Sequence, residues 1–160
     1  MPGARDTGLE TATGRALVVV SRFNEGVTRR LLEGATRVLG ERGYEAEACD
    51  VVWVPGAFEL PVAVRAGLAG GRYDFAVALG AVIRGETPHF EYVAGTTSQA
   101  LMELSTRFGT PVGFGLLTCD TLAQALARAG GEAGNKGADA AEAAAAAFRV
   151  VRDLAQRAAT

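Results

Sequence analysis

Only two cysteines, one histidine and one tryptophan occur among 160 residues. Cys49 and Cys119 cannot build a disulfide framework, and a single histidine with two distant cysteines cannot supply a zinc site, so no metal centre is expected. Sixteen Lys and Arg stand against 18 Asp and Glu, a net charge of −2 with no basic stripe. That balance argues against nucleic acid as a partner. Long hydrophobic runs are missing as well. The longest strongly apolar stretch, Phe75 to Ile83, contains Gly80 and falls far short of the roughly 20 residues of a membrane-spanning helix. No membrane association is expected. Met1 to Thr13 is small and polar, without the apolar run of a secretory signal. No G-x-G-x-x-G follows the first strand and no Walker motif occurs, so dinucleotide and NTP chemistry are weakly supported. No cofactor is implied.

What is present fits an ordinary soluble core: 49% hydrophobic and 21% charged residues, a balance that disordered chains do not have. The length suits one domain that buries roughly 70% of its unfolded surface, and a cytoplasmic location is expected. Residues 1–13 are expected to form a flexible arm, and 14–158 the single domain.

Four apolar runs rich in β-branched residues recur: Ala16 to Ser21, Ala46 to Val54, Asp74 to Ile83 and Pro111 to Thr118. The third and fourth are nearly continuous rather than alternating, the pattern of parallel strands covered on both faces. Between them, Val27, Leu31, Ala35 and Val38 mark one helix face, and Leu60, Val64 and Leu68 a second. Tyr92, Thr96, Leu101, Leu104 and Phe108 mark a third, less regular one. Thr121 with Gln124 reads as a capping box opening a short fourth helix. A fifth, Ala138 to Ala158, is almost polyalanine and carries Phe148, Val151 and Leu154. The expected architecture is a three-layer α/β/α sandwich around a four-stranded parallel sheet.

In such a sheet ligands bind beyond the carboxyl ends of the strands. There the sequence puts Arg22-Phe23-Asn24, Pro55-Gly56-Ala57-Phe58-Glu59, Arg84-Gly85-Glu86-Thr87-Pro88-His89 and Thr118-Cys119-Asp120. Two loop phenylalanines, an early-helix glutamate and the only histidine thus share one rim. Thr87 is a suitable N-cap and Pro88 a suitable first helical residue. The free N–H groups of that helix start form a natural phosphate cradle, or simply a well-made cap. His89 is placed to carry protons to and from whatever lies there, or is a plain surface histidine. Phe23 and Phe58 suit stacking on a flat heterocycle, and equally suit plugging the sheet's end. Asn24 reads as helix cap or ligand contact, and Glu59 as hydroxyl acceptor or first-turn acid. Arg128 lies at the far end of the fourth helix, about 12 Å from the rim, so a role at the site requires a neighbouring subunit. Phe114, in mid-strand, poses the same question, and Lys136 reads as a solvated turn lysine or a third such residue.

Two rivals fit parts of this pattern. A thiol hydrolase would use Cys119 with His89, but Cys119 lacks the glycine-flanked elbow of a nucleophile on this architecture. A flavin- or pyrimidine-binding module would bind without turnover.

Taken in order, Ser21-Arg22-Phe23-Asn24, Val54 to Pro61, Leu79 to Tyr92, Phe114-Gly115, Arg128-Ala129-Gly130 and Ala133 to Gly137 make the chain resemble the 6,7-dimethyl-8-ribityllumazine synthase family, from about Ala16 to Leu154. The resemblance implies a flavodoxin-like fold. It also implies condensation of 5-amino-6-(D-ribitylamino)uracil with 3,4-dihydroxy-2-butanone 4-phosphate. In that reaction an amine attacks the ketone to form an imine, phosphate is eliminated, and the second nitrogen closes the ring. Carried over by position, it has Phe23 stacking on the pyrimidine, with Asn24 nearby, and Ala57, Phe58 and Glu59 holding the ribityl chain and ring. Ala81, Val82 and Ile83 offer backbone groups to the pyrimidine edge. Gly85, Glu86 and Thr87 hold the phosphate through main-chain amides, and His89 shuttles protons. Phe114 and Arg128 come from the adjacent subunit, Arg128 onto the phosphate, with Lys136 near the same site. The family assembles as pentamers, and in many members as hollow 60-subunit shells, with riboflavin synthase as an associated partner; neither metal nor redox cofactor is implied. Three positions depart from the family pattern: Ala127 in place of a common acid, Gly131-Glu132 in place of Thr-Lys, and Cys119 in place of threonine.

Overall fold

The computed structural model describes residues 13–160. The expected arm over 1–13 lies outside them except for Thr13. The element order is β1 (Ala16–Ser21), α1 (Glu25–Glu41), β2 (Cys49–Val54), α2 (Leu60–Ala69), β3 (Phe75–Ile83), α3 (His89–Phe108), β4 (Val112–Cys119), α4 (Leu122–Ala127), β5 (Ala129–Gly131), β6 (Gly134–Asn135) and α5 (Lys136–Ala159). β1 to β4 form one parallel sheet in the order β2-β1-β3-β4. The chain is thus a flavodoxin-like α/β/α sandwich, with β1 and β3 in the middle.

Successive strand residues point to opposite faces, and here both faces are apolar. Val18, Val20, Val77 and Leu79 pack under α1, α4 and α5. Leu17, Val19, Ala76 and Ala78 pack under α2 and α3. Phe75 anchors the first layer, 4.9 Å from the Tyr44 ring and 6.3 Å from Phe148. The stripes expected for α1 and α2 are the buried ones.

Several boundaries differ from expectation. Ala46–Ala48 is a single 3-10 turn, so β2 is shorter, and as an edge strand it leaves Val51 and Val52 partly exposed. The buried stripe of α3 is Ala94, Thr97, Leu101 and Leu104. Tyr92 and Thr96 are exposed instead, Tyr92 because the first turn of α3 overhangs the end of the sheet. The capping box of α4 is present: Thr121 Oγ1 accepts from Gln124 N at 3.2 Å. Between α4 and α5, Ala129–Gly131 and Gly134–Asn135 form a small antiparallel hairpin, β5-β6. α5 starts two residues earlier than expected, since Asn135 Oδ1 caps it by accepting from Gly137 N at 2.9 Å and Ala138 N at 3.0 Å.

Asp74, at the mouth of β3, is buried and accepts four hydrogen bonds: Thr13 N (2.6 Å), Thr13 Oγ1 (2.7 Å), Gly14 N (3.1 Å) and Tyr44 Oη (2.8 Å). The Tyr44 phenol is in turn shifted well above its ordinary pKa by burial and by this carboxylate. Replacing Asp74 with Ala leaves those donors unsatisfied and is expected to cost about 2–4 kcal/mol. Urea unfolding would measure it. A loss below about 0.5 kcal/mol, the scatter of ordinary surface changes, would mean the cluster is not structural.

Candidate active site

The strand order reverses between β1 and β3, and at their carboxyl ends lies a cavity of about 680 Å³. Its lining is contributed by four segments: Phe23 after β1, Gly56 to Glu59 after β2, Ala81 to Ile83 with Gly85 and Thr87 from β3 onward, and His89, Phe90, Tyr92 and Val93 of α3. A switch-point crevice is where an open α/β sheet is expected to bind a ligand.

Each wall has a local cause. The ends of β1 and β2 are zipped together, Arg22 N donating to Val54 O (2.8 Å) and Phe23 N to Pro55 O (3.0 Å). The chain then turns sharply at Asn24, whose φ of 61° is left-handed, a conformation asparagine tolerates better than most residues. That turn throws the Phe23 ring outward, 71% exposed, at the pocket's edge. Asn24 itself does not cap α1 with its side chain. Its Nδ2 donates to Ala81 O at 2.9 Å, tying β1 to β3. Asn24 thus occupies the N-cap position of α1, as expected, but its side chain braces the pocket wall instead of capping the helix, and it is not among the residues lining the cavity.

β3 outruns β1. Its pairing with β1 stops at Leu79, whereas β4 follows it to Ile83. Backbone groups alternate between the two edges, so Ile83 shares the β1-side edge with Ala81, while Arg84 N turns the other way to Cys119 O (2.9 Å). On the β1 side the last residues of β3 thus have no strand partner: Ala81 O is met by Asn24, and Ala81 to Ile83 line the cavity.

The start of α3 differs from the sequence expectation. Pro88, not Thr87, is the N-cap (φ −71°, ψ 8°), His89 is the first helical residue, and no side chain caps the terminus. Proline prefers the first helical position, but here the turn closes one residue later, with Glu91 N donating to Pro88 O at 3.1 Å. An uncapped 20-residue helix aims unsatisfied N–H groups and its positive end at the cavity. Thr87 and Gly85 line the same space, while Glu86 does not. Glu59 and His89 are the cavity's acid and base side chains; aromatic and aliphatic groups supply most of the rest.

Phe114, Arg128 and Lys136 do not line this cavity. Phe114 stands exposed on the edge strand β4. Arg128 ends α4, which at six residues is shorter than expected, and Lys136 begins α5. Their backbones are joined across the hairpin, Lys136 N donating to Arg128 O at 2.8 Å. Arg128 Nη1 donates to the carbonyl of Gln124 at 3.0 Å. With Ala127 beside it, a backbone carbonyl rather than a neighbouring acid orients this guanidinium.

Phe90 and Val93 were not among the residues expected here, and Tyr92 was expected in the core. The signal for Tyr92 and Val93 was available, since they follow His89 by three and four positions and so share its helix face. The Cys119 thiol is buried, and burial pushes its pKa up. Such a thiol is a poor nucleophile, which removes the hydrolase rival. No helix among the described residues is long and apolar enough to cross a membrane.

Comparison with known proteins agrees with this geometry. The family model described as 6,7-dimethyl-8-ribityllumazine synthase matches residues 13–152. A protein of Gemmatimonas aurantiaca named 6,7-dimethyl-8-ribityllumazine synthase is 61% identical over 142 residues, covering 88% of this chain and 87% of that relative.

Proposed function

The chain belongs to the 6,7-dimethyl-8-ribityllumazine synthase family and is a transferase of riboflavin biosynthesis, and we propose that the switch-point crevice is where it condenses 5-amino-6-(D-ribitylamino)uracil with 3,4-dihydroxy-2-butanone 4-phosphate. One observation carries the assignment of the site. A lone imidazole, an uncapped helix start and two exposed phenylalanines line the same cavity.

In this reading Phe23 stacks on the pyrimidine, whose edge meets the backbone at Ala81, Val82 and Ile83. Ala57 and Phe58 flank the ribityl chain, and Glu59 accepts hydrogen bonds from its hydroxyls. The phosphate sits at the start of α3, held by main-chain N–H groups from Gly85, Glu86 and Thr87 and favoured by the helix dipole. His89, at the same terminus, lies between the ketone and the amine. It takes the amine proton as the imine forms, and returns a proton to the oxygen that leaves as water. Phosphate elimination needs a base and an anion cradle, and this corner of the pocket offers both. A non-catalytic module of the same fold is not favoured, because the family match and the paired acid-base and anion features point the same way.

The rest of the site is proposed to come from the adjacent protomer of a pentamer, with Phe114, Arg128 and Lys136 completing the pocket. The exposure of Phe114 and the place of Arg128 and Lys136 outside the cavity lining support this reading. Residues 14–158 act as one domain in it, the enzyme is cytoplasmic, and the assembly is a pentamer or a 60-subunit shell able to associate with riboflavin synthase. Head-to-tail contacts of this kind close into rings.

Incubating the protein with both substrates should yield the fluorescent lumazine with release of phosphate. Arg128→Ala should raise KM for the phosphate ketone and spare that for the pyrimidine. Refolding His89→Ala and Arg128→Ala chains together tests the shared pocket. In an even mixture about a quarter of pockets pair an intact His89 with a neighbour's intact Arg128, so activity should rise above that of either variant alone. Absence of any recovery would return Arg128 to its own chain's site or remove it from catalysis.

A further inference from the structure

Arg84 does not line the cavity, yet its guanidinium gathers the segments that shape it. It follows β3 and donates through Nε to Asp120 Oδ1 at 2.8 Å, just beyond β4. Its Nη1 donates to Glu91 in the first turn of α3. Its Cζ also lies 4.5 Å from the centre of the Phe90 ring. We infer that Arg84 is a positioning residue for the reaction, holding the first turn of α3, and with it His89 and the anion-binding amides, in register with the end of β3.

The need for such a brace is local. The N-terminus of α3 has no side-chain cap, and Pro88 has no N–H with which to tie the entry to its neighbours. The orientation of the first turn therefore depends on a contact from outside the helix. Glu91 and Phe90 are the residues that receive it, and Phe90 directly follows His89 and lines the pocket beside it. Arginine suits the task because one planar group makes two separate hydrogen bonds at its edge and covers a ring with its face. Lysine offers a point charge and cannot meet all three partners at once. Asp120 fixes the other end: it precedes Thr121, whose capping box starts α4, and its own N–H donates to Gln124 Oε1 at 2.8 Å.

Side-chain exposures of 45% for Arg84, 52% for Glu91 and 66% for Asp120 mean these pairs add little to global stability. Their removal should therefore alter the geometry of the site rather than the folding of the chain. A displacement of about an ångström at a reacting group is enough to cost a large factor in rate.

The inference rests on the functional reading above. Its test compares Arg84→Gln, Arg84→Lys, Glu91→Gln and the Arg84→Gln/Glu91→Gln double variant with the wild-type enzyme. Arg84→Gln should lower kcat about tenfold and raise KM for the phosphate ketone, with KM for the pyrimidine within about twofold. Arg84→Lys should recover only part of the loss. Glu91→Gln should shift the same constants in the same direction, and the double variant should be no worse than Arg84→Gln, as expected for partners in one contact. A merely structural loss would reduce kcat through the inactive fraction and leave both KM values alone. Wild-type constants for Arg84→Gln, unchanged KM values with reduced kcat, or losses that multiply in the double variant would each overturn the inference. Should Arg84→Gln fail to fold, Glu91→Gln decides alone, a raised ketone KM supporting the inference and an unchanged one overturning it. A wild-type enzyme that forms no lumazine would instead end the functional reading itself.

Discussion

Replacing His89 with Ala is expected to slow turnover by about ten- to a thousandfold, toward the lower end of that range. The imidazole is the proton carrier proposed for a sequence in which amine attack, loss of water, elimination of phosphate and ring closure each move a proton. Water and Glu59 remain as slower substitutes. Much of the acceleration also comes from holding two reactive partners together, and that survives the change. The variant should fold normally, because His89 is an exposed first-turn residue and alanine is a good helix former. kcat should therefore fall with little change in either KM. Steady-state kinetics across a range of pH, reading lumazine fluorescence, would measure it. Turnover equal to wild type at every pH would remove His89 from the chemistry and leave the pocket as a positioning device.

Replacing Gly137 with Ala should destabilise the protein by about 3 kcal/mol or more. On helix propensity alone the change would favour folding by up to about 1 kcal/mol. Packing reverses the sign. A Cβ built at Gly137 would lie 2.0 Å from the carbonyl oxygen of Leu31 and 2.7 Å from its carbonyl carbon, so it meets backbone and not a side chain that can swing away. Leu31 is fully buried on α1, and α1 is held at this crossing by Asn135 Nδ2 donating to Arg30 O at 3.0 Å. Gly34 on α1 is the counterpart, where a Cβ would strike the Asn135 side chain at 2.4 Å. α5 thus meets the α1 backbone through Gly137, and separating them moves the start of α5 and the hairpin that Arg128 and Lys136 flank. Urea unfolding should show the loss, and KM for the phosphate ketone should rise with it. Stability within about 0.5 kcal/mol of wild type would mean that α1 and α5 can part without cost.

Much of this was legible in the residues. The run from Phe75 to Ile83 is nearly continuous in apolar residues because both faces of that strand are covered, and the pattern reports the layers directly. The stripe of Val27, Leu31, Ala35 and Val38 reports the buried face of α1 in the same way. Thr121 with Gln124 names its own helix start. Other features were not legible because distant parts of the chain decide them. Thr87 had the chemistry of a cap, yet the turn closes on Pro88, where Arg84 and Asp120 brace the entry of α3 from outside. Asn24 looked like a cap or a ligand contact; it does stand at the N-cap position of α1, but its amide bridges to Ala81, 57 positions away. Tyr92 fitted a helical core stripe, but α3 begins beyond the end of the sheet, so its first turn has a cavity beneath it instead of a strand.

By itself the sequence determined the number and kind of the main elements, the parallel sheet and the rim on which Phe23, Phe58, Glu59 and His89 fall. These follow from side-chain alternation, helical spacing and turn chemistry, each of which acts over a few residues. The tertiary structure decided the order β2-β1-β3-β4, the overhang of β3 beyond β1 at Ala81 to Ile83, and the separation of Phe114, Arg128 and Lys136 from the cavity. Those depend on which surfaces meet after the chain has closed loops of tens of residues, and packing between remote segments is a property of the folded whole that no local pattern encodes.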